Sequence, residues 1–262
     1  MMSSTPEREH QHVGGASAAA LRVTTDASML AESVAAPAIS DLAARDPSPA
    51  FLVAKRAFDI VASSCGLLLF ALMVPVLYMV IKLDSPGSFF YSQDRVGHNR
   101  RRNRRRPDGP NRRKVLHPGR PFRVYKLRTM RNDAEKNGPQ WATAGDARVT
   151  RVGRYLRKTR LDELPQLWNV LKGEMSLIGP RPERLCFINQ LEHEVPFYHD
   201  RLLVKPGLTG LAQVRNGYDD SLESVRRKVE YDRQYIRHCG PLTEMGILLE
   251  TVRVVLKGEG AR

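Results

Sequence analysis

Two adjacent carboxylates, Asp162 and Glu163, directly follow a basic run that ends at Arg160. An aspartate can act as a covalent nucleophile toward phosphoryl groups, and nearby arginines keep it ionised by lowering its pKa. Neighbouring residues of an α-helix point about 100° apart, so we do not expect the two carboxylates to share a proton. One of them could attack phosphorus while the other holds a metal or a cation. A surface network of ion pairs is the alternative that the residues alone leave open.

Cationic side chains elsewhere could supply the phosphate contacts that such chemistry needs. The stretch GRPFRVYKLRTM, at 119–130, predicts a strand whose alternation places Lys126 and Arg128 on one face. Two cations at the end of a strand could hold a phosphate, although a solvated strand face would show the same pattern. Arginines also recur at every third position from Arg148 to Arg160, which on a helix makes a cationic stripe.

The elements that must position these side chains are indicated by turns and helix signals. The GPRP break at 179–182 is rigid and fixes the direction in which Arg181 is presented. A second turn, KPGLTG, has Lys205 at its start. A helix is predicted to begin near Ser221 and to end near His238.

Residues 60–81 form an uncharged apolar segment that, at roughly 33 Å as a straight helix, is long enough to cross a bilayer. Basic residues flank it on both sides, and the positive-inside tendency draws both flanks to the cytoplasm. Pro75 favours a bend, so the segment could enter one leaflet and return as a re-entrant hairpin. A single span with a tolerated proline is the alternative. The last apolar segment, 242–258, predicts a core helix or a helix at a membrane interface.

The positive charge of the chain is concentrated in one place. Its 262 residues include 42 Lys and Arg against 28 Asp and Glu, a formal net charge of +14, and nine of the cations lie between Arg100 and Lys114. This excess favours anionic partners. Nucleic acid would have to be bound largely through this one segment, which lacks interleaved aromatic residues. The three cysteines are far apart and show neither a disulfide framework nor a metal-ligand spacing, which favours a reducing compartment.

Five motifs occur in an order that resembles one known family. They are KRAFDI before the apolar segment, YKLRTM, LDELPQLWNVLKGEMSLIGPRP, KPGLTGLAQV and EYDRQY. From about Lys55 onward, the chain is similar to the bacterial sugar transferases, that is, the monotopic phosphoglycosyl transferases. The resemblance implies transfer of a sugar-1-phosphate from a nucleoside diphosphate sugar to a polyprenyl phosphate in the membrane.

For the site, the resemblance implies that Asp162 attacks the sugar-bearing phosphorus, releases the nucleoside monophosphate and forms an aspartyl-phosphosugar intermediate. The lipid phosphate would attack this intermediate in a second half-reaction. Glu163 would assist with Mg²⁺ and orientation, so both carboxylates are candidate metal ligands. The candidate substrate-binding residues on the matching motifs are Lys126, Arg128, Arg181, Lys205, Gln213, Glu230 and Asp232. A structural amide remains the alternative for Gln213, and a solvated helix face remains the alternative for the last two.

The implied fold class is α/β but mostly helical, with a re-entrant membrane hairpin and a small cytoplasmic catalytic domain that has short strands and interfacial helices. We expect a disordered leader at 1–50, the membrane segment at 51–83 and the catalytic domain at 84–262, with an Arg-rich insertion at about 98–118. The implied donor is a UDP-hexose, the acceptor is undecaprenyl phosphate, and the cofactor is Mg²⁺. Membrane lipids are expected partners, nucleic acid is not, and a homo-oligomer is compatible with the pattern. The implied location is the cytoplasmic face of the bacterial inner membrane.

Two features depart from the family pattern. Val74 precedes Pro75, where relatives often carry a small polar residue, and the Arg-rich insertion stands where relatives usually have a short loop. The insertion could contact anionic lipid headgroups or lie in solvent. A membrane-tethered protein that binds nucleic acid or anionic lipid through this insertion is the competing function. A non-catalytic scaffold is disfavoured by the intact Asp162–Glu163 pair.

Overall fold

The computed structural model describes residues 47–99, 118–136, 138, 140, 145–216 and 221–258. Within them the chain is mostly helical with a few short strands, as predicted. The α-helices are α1 (Pro49–Asp84), α2 (Arg151–Lys158), α3 (Leu167–Leu171), α4 (Leu185–Leu191), α5 (Leu211–Arg215), α6 (Leu222–Arg237) and α7 (Pro241–Lys257). Two 3₁₀-helices span Leu161–Gln166 and Tyr198–Leu203. The strands are β1 (Phe90–Val96), β2 (Pro121–Leu127), β3 (Ser176–Ile178) and β4 (Gly207–Thr209). Most of the predicted leader and of the Arg-rich insertion lies outside the described residues.

Helix α1 is a single uninterrupted helix of 36 residues, about 54 Å long. It begins two residues before the predicted membrane segment, where the Ser48 hydroxyl accepts a hydrogen bond from the backbone of Phe51. Pro75 lies inside the helix and does not end it. Within the described part of the chain, α1 is the one helix long and apolar enough to cross a membrane by length and composition. A re-entrant hairpin would need a break near Pro75, and the helix is continuous there. The hairpin is therefore not confirmed and stays a prediction.

The buried face of α1 extends along much of its length. Asp59, Ser63, Phe70, Leu77 and Ile81 are buried at spacings that follow one helical face. The apolar members pack with buried side chains of the segment before β1, of β2 and of α2. The other faces expose large apolar side chains from residue 52 to residue 83. One stripe of the helix is therefore docked on the domain, and the remainder is left without a protein partner among the described residues.

The start of α1 is fixed by the lysine of the KRAFDI motif. Lys55 Nζ donates to both carboxylate oxygens of Glu244 on α7, at 2.6 Å for Oε2, and to the carbonyl of Ile178 at 3.1 Å. The hydroxyl of Tyr235 donates to Glu244 Oε1 at 2.6 Å. We call Lys55, Tyr235 and Glu244 the α1 anchor. Every strong hydrogen-bonding group in it has a partner, as buried charges require.

Two further residues of the same motif hold α1 against the core. Both terminal nitrogens of Arg56 donate to backbone carbonyls at the end of α3, at 2.7 Å each. Asp59 Oδ1 accepts from the backbone of Leu177 at 2.9 Å and from the hydroxyl of Ser176 at 3.1 Å. The charged residues of KRAFDI therefore have a docking role in this fold.

Helix α2 starts where it does because two side chains cap it. Thr150 Oγ1 accepts from the backbone of Gly153, and Asp84 Oδ2 accepts from the backbone of Val152. A Cβ atom on Gly153 would lie 2.1 Å from the carbonyl oxygen of Thr129, so only glycine permits this approach to the segment after β2. The helix that precedes the carboxylate pair is thereby placed directly against the end of that strand.

Two small sheets complete the framework. Strands β1 and β2 are antiparallel, and their register sets Tyr91 opposite Lys126. Strands β3 and β4 are parallel and lie beside the GPRP and KPG turns. Ser221 caps α6, as the sequence predicted, and the capping box is closed by Ser224 rather than by an acidic residue.

Candidate active site

A cavity of about 530 Å³ opens beside β1 and β2 and contains the carboxylate pair in its wall. It is bounded by the segment after β2, α2, the first 3₁₀-helix, the GPRP turn and parts of α4 and α6. Among the described residues, ten arginine and lysine side chains line it against four carboxylates. Such an excess of positive charge suits a ligand that carries several negative charges, such as a diphosphate.

The local backbone explains how adjacent carboxylates reach the same cavity. Arg160 has φ 59° and ψ 11°, in the left-handed region, where a non-glycine residue is uncommon and costs about 1 kcal/mol or more. This residue turns the chain from α2 into the 3₁₀-helix Leu161–Gln166. Asp162 and Glu163, 6% and 7% exposed, both line the cavity. Successive residues of a 3₁₀-helix point about 120° apart, so the two carboxylates approach the cavity from different directions.

Glu163 forms two short ion pairs at the cavity wall. Its Oε1 accepts from Lys126 Nζ at 2.8 Å and from Arg181 Nη2 at 2.7 Å. Burial alone would raise the pKa of Glu163, but Arg181 and Lys126 hold it well below its usual range. The pKa of Arg181 is raised in turn by Glu163. Glu163 is therefore ionised and fixes the positions of two cations at the cavity wall.

Asp162 differs sharply from its neighbour. Among the described residues none donates a hydrogen bond to its carboxylate, and none forms an ion pair with it within 4.0 Å. Burial raises the pKa of Asp162, Lys126 opposes this, and the charge of Glu163 adds to the increase. A carboxylate with a raised pKa and no donor on its oxygens is a stronger nucleophile once ionised. The two carboxylates therefore differ: Glu163 is paired with two cations, whereas Asp162 has no described donor.

The arginine stripe is divided by the structure. Arg148, Arg157 and Arg160 line the cavity, whereas Arg151 and Arg154 are exposed on α2. The division follows from the helix, which covers only Arg151–Lys158, so a period of three does not extend over the whole run. Arg157 Nε donates to the hydroxyl of Thr129 at 2.9 Å, which holds its guanidinium near the end of β2.

The two cations predicted at the end of β2 have different surroundings. Lys126 is the next-to-last residue of β2, and its ammonium group reaches Glu163. Arg128 lies beyond the end of β2, and its guanidinium donates to the carbonyls of Ser85 and Pro86 at 2.6 Å each. These carbonyls follow the last turn of α1. Arg128 also borders the cavity, but its strongest contacts stabilise the end of that helix.

Four other predicted site residues lie outside the lining of the cavity. Lys205 is half-buried at the KPG turn, near Gly173. Gln213 Nε2 donates to the carbonyl of Leu208 at 2.9 Å, which is the structural alternative for this amide. Glu230 is exposed on α6 and lies 3.8–4.0 Å from two arginines of the same helix. Asp232 is fully buried and pairs with Arg201, Nε to Oδ2 at 2.7 Å.

Sequence reasoning missed a second ion network at the cavity. Glu183 accepts from Lys228 Nζ at 2.8 Å and from Arg95 Nη1 at 3.2 Å. Burial alone would raise the pKa of Glu183, but Lys228 and Arg95 lower it to about 2. Glu183 directly follows the GPRP break, but its partners lie on β1 and α6, and no sequence spacing relates them. Only the fold brings these three residues together.

One residue of the longest motif has a structural role. Asn169 is fully buried, and its Nδ2 donates to the carbonyl of Arg123 at 2.7 Å and to Glu174 Oε2 at 2.8 Å. Its Oδ1 accepts from the backbone of Tyr125 at 3.4 Å. Asn169 therefore joins α3, which directly follows the 3₁₀-helix of the carboxylate pair, to the middle of β2.

Comparison with known proteins gives a consistent result. The family model described as bacterial sugar transferase matches residues 50–258. A UDP-N-acetylgalactosamine-undecaprenyl-phosphate N-acetylgalactosaminephosphotransferase of Aeromonas hydrophila is 42% identical over 216 residues, which cover 82% of this chain and 47% of that protein. A UDP-glucose:undecaprenyl-phosphate glucose-1-phosphate transferase of Caulobacter vibrioides is 38% identical over 219 residues, covering 82% and 74%. The exopolysaccharide production protein PSS of Rhizobium leguminosarum bv. phaseoli is 37% identical over 207 residues, covering 77% and 94%. The chain thus spans about half the length of the Aeromonas protein and most of the Rhizobium protein.

Proposed function

The chain belongs to the bacterial sugar transferase family, and we propose that it transfers a sugar-1-phosphate from a UDP-sugar to undecaprenyl phosphate for the synthesis of a surface polysaccharide. The relatives named above with both substrates support this substrate class. One observation carries the proposal. The buried Asp162 lies in the wall of a strongly cationic cavity, and no described residue donates a hydrogen bond to its carboxylate.

Asp162 is the proposed nucleophile. A carboxylate oxygen attacks the phosphorus that bears the sugar, the bond from this phosphorus to the bridging oxygen breaks, and the nucleoside monophosphate leaves with that electron pair. The product on the protein is an acyl phosphate ester between Asp162 and the sugar phosphate. An oxygen of the lipid phosphate then attacks the same phosphorus, the carboxylate of Asp162 is released, and a lipid-linked diphosphate sugar forms.

The cations of the cavity allow one anion to approach another. Lys126 and Arg181 face Glu163, Arg157 is held by Thr129, and all of them line the cavity. Preorganised charges of this kind stabilise the charge that develops on the phosphoryl oxygens and on the leaving group, and they need little rearrangement during the reaction. Glu163 is proposed as the residue that orients this group of cations.

The residues present fit a Mg²⁺ ion that is bound together with substrate. In the described part of the chain, no three His, Cys, Asp or Glu side chains converge to form a closed metal cage. Mg²⁺ is commonly held by one or two carboxylates and completed by substrate phosphates and water, and Asp162 and Glu163 offer that donor set. When bound, the ion would neutralise charge on the diphosphate. Its ligands in this chain would be these two carboxylates.

A membrane location is part of the proposal. Helix α1 exposes apolar side chains along its length, and Leu242, Leu249 and Leu256 are exposed at spacings of seven residues on α7. Trp168, 49% exposed, adds an aromatic side chain of the kind that favours membrane interfaces. Such surfaces suit a monotopic protein that binds membrane lipids and meets a polyprenyl acceptor. The proposed side is the cytoplasmic face of the inner membrane, where nucleotide sugars are available.

The decisive experiment separates the two half-reactions. The purified full-length chain is incubated with Mg²⁺ and a panel of radiolabelled UDP-sugars, first without and then with undecaprenyl phosphate. We expect one donor to leave its sugar phosphate on the peptide that contains Asp162, detected by mass spectrometry, and to release UMP. Adding the lipid should move the label into the organic phase. Lipid product that forms without any adduct would contradict the covalent step, and no transfer from any donor would contradict the transferase itself.

A further inference from the structure

Two ion pairs join the second 3₁₀-helix, Tyr198–Leu203, to α6. Arg201 Nε lies 2.7 Å from Asp232 Oδ2, and Arg233 Nε lies 3.2 Å from Asp200 Oδ2. All four side chains are buried. Each element contributes one arginine and one aspartate at consecutive positions, so the pairs connect the same two elements with opposite polarity. They differ in what else they contact.

Only one of the two pairs reaches the candidate active site. Arg201 Nη2 donates to the backbone carbonyl of Arg181 at 3.0 Å. Arg201 Nη1 donates to the hydroxyl of Tyr198 at 3.0 Å, so the guanidinium is held at three points. The guanidinium of Arg233 lies 3.8 Å from the ring centroid of Phe197 instead. Among the described residues, Arg233 makes no hydrogen bond or ion pair with the segment 179–183.

The backbone around Arg181 has little freedom of its own. Pro180 and Pro182 flank it, and a proline fixes its own φ and restricts the residue before it. The carbonyl of Pro182 accepts from Arg95 Nη1 at 3.1 Å. The preceding carbonyl, that of Arg181 itself, is held by Arg201, so the backbone from which the Arg181 side chain extends is fixed. That side chain places Nη2 2.7 Å from Glu163 Oε1.

We infer that the Arg201–Asp232 pair is a positioning device that holds the backbone of Arg181 and thereby fixes its guanidinium against Glu163. Asp232 orients Arg201, Arg201 holds the Arg181 carbonyl, and Arg181 meets the carboxylate pair. The inference rests on the proposed function in that the consequence is measured as sugar-phosphate transfer. It replaces the sequence expectation that Asp232 binds substrate, since Asp232 is buried away from the cavity lining.

The electrostatics suit this role. Burial alone would lower the pKa of Arg201, but the charge of Asp232 raises it, so the guanidinium remains protonated at physiological pH. A charged donor makes a stronger hydrogen bond to a carbonyl than a neutral one does. The planar guanidinium can also bridge several acceptors at fixed angles, which a lysine ammonium on its flexible chain cannot do equally well.

The experiment compares Asp232→Asn with Asp200→Asn. The second variant weakens the Arg233–Asp200 pair, which joins the same two elements. Removing one partner of a buried pair destabilises, so both variants should lower the melting temperature. Asp232→Asn should lower kcat on the order of 10- to 100-fold, the range that a small misplacement of a catalytic group produces, with little change in donor KM. Asp200→Asn should keep kcat within about 2-fold of the wild type, because its arginine does not contact the segment 179–183.

A double-mutant cycle adds a readout that a merely structural role would not move. If Asp232 acts through Arg181, the loss of kcat in Asp232→Asn combined with Arg181→Lys should be no larger than in Arg181→Lys alone. If the two losses multiply, or if Asp200→Asn loses as much activity as Asp232→Asn, the positioning role is overturned. Should Asp232→Asn fail to fold, Arg201→Lys replaces it in the same cycle, because it keeps the charge and loses the bridging geometry.

A measurement independent of turnover keeps this inference separate from the proposed function. Absence of transfer by the wild type with every UDP-sugar would defeat the proposed function alone. In that case NMR of the arginine side chains decides the positioning role. The guanidinium of Arg181 should be slow to rotate and to exchange protons in the wild type and in Asp200→Asn, and mobile in Asp232→Asn. Equal mobility of Arg181 in all three proteins would overturn the inference.

Discussion

The α1 anchor and the carboxylate pair are both built from buried charges, but they use them differently. In the anchor, Lys55 reaches both oxygens of Glu244, and Tyr235 donates to one of them as well. In the cavity, Glu163 receives two cations on one oxygen, while Asp162 receives no described donor. A satisfied network stabilises a docked helix. A carboxylate without a described donor in a cationic wall can still accept bonds from a ligand. This difference supports the proposal that the carboxylate pair, and not the anchor, carries the chemistry.

Replacing the free carboxylate gives the largest expected effect. Asp162→Asn removes the nucleophile, so sugar-phosphate transfer should fall by about 10³-fold or more. The free energy of unfolding should stay the same or rise, because the substitution removes a buried charge whose pKa is raised by burial. UMP release and thermal unfolding measure the two quantities on the same sample. Unchanged turnover would refute the assignment of Asp162 as the nucleophile. A large loss of stability would show that Asp162, like the residues of the anchor, stabilises the fold.

Breaking the anchor should have the opposite pattern. Lys55→Met leaves Glu244 buried without its cation, which destabilises by about 3–5 kcal/mol in chemical denaturation. Combining Lys55→Met with Glu244→Leu serves as the matched control, because removing both charges together should restore much of that loss. The catalytic rate of the folded fraction should change little. If the double variant is as unstable as the single one, the pair does not behave as a coupled network.

Glu183 lies at the cavity but resembles Glu244 of the anchor, because both of its carboxylate oxygens are paired with a cation. Its pKa falls from an ordinary 4.5 to about 2 in the folded protein, against the effect of burial and through Lys228 and Arg95. A group whose pKa is depressed by folding contributes stability above its unfolded pKa and loses it as the pH falls. About 3 kcal/mol should therefore be lost between pH 4.5 and pH 2. Acid titration of the unfolding free energy should be flatter in this window for Glu183→Gln, and an identical slope would argue against the ion network.

The sequence predicted the members of the cavity wall better than their roles. Asp162, Glu163, Lys126 and Arg181 were grouped from the motifs, and the fold brings all four together. The difference between the paired Glu163 and Asp162, which has no described donor, depends on which carboxylate the two cations reach. That is decided by the left-handed turn at Arg160, for which the sequence has no glycine or asparagine signal.

Two further sequence predictions could not be settled without the fold: the shared role of Glu230 and Asp232, and the break at Pro75. Glu230 and Asp232 were taken together, yet residues two apart on a helix point about 200° apart. One is therefore exposed on α6 and the other is buried against Arg201. The continuity of α1 through Pro75 also could not be read from composition. Its docked face supplies contacts on both sides of the proline, from Asp59 to Ile81, which can offset the lost hydrogen bond.

Arg128 tests whether a cation at the edge of the cavity belongs to the chemistry or to the support of α1. Its guanidinium donates to the carbonyls of Ser85 and Pro86, and a weaker contact reaches the carbonyl of Ile81 at 3.4 Å. Lysine keeps the charge but cannot bridge these acceptors as a planar fork does. Arg128→Lys should therefore lower the unfolding free energy by about 2 kcal/mol, the scale of one lost charged hydrogen bond.

The matched variant for Arg128 is Lys126→Met, since both residues were predicted to bind phosphate from the same strand. Lys126→Met removes a cation from Glu163 and should lower kcat/KM on the order of 10²-fold, as expected for the loss of one preorganised charged donor. Arg128→Lys should leave donor KM within about 2-fold, because its donors are already engaged by the end of α1. Steady-state kinetics over a range of donor concentrations separates the two. A large rise of the donor KM in Arg128→Lys would contradict this structural role. It would show that Arg128, the first residue after β2, binds the phosphates of the donor.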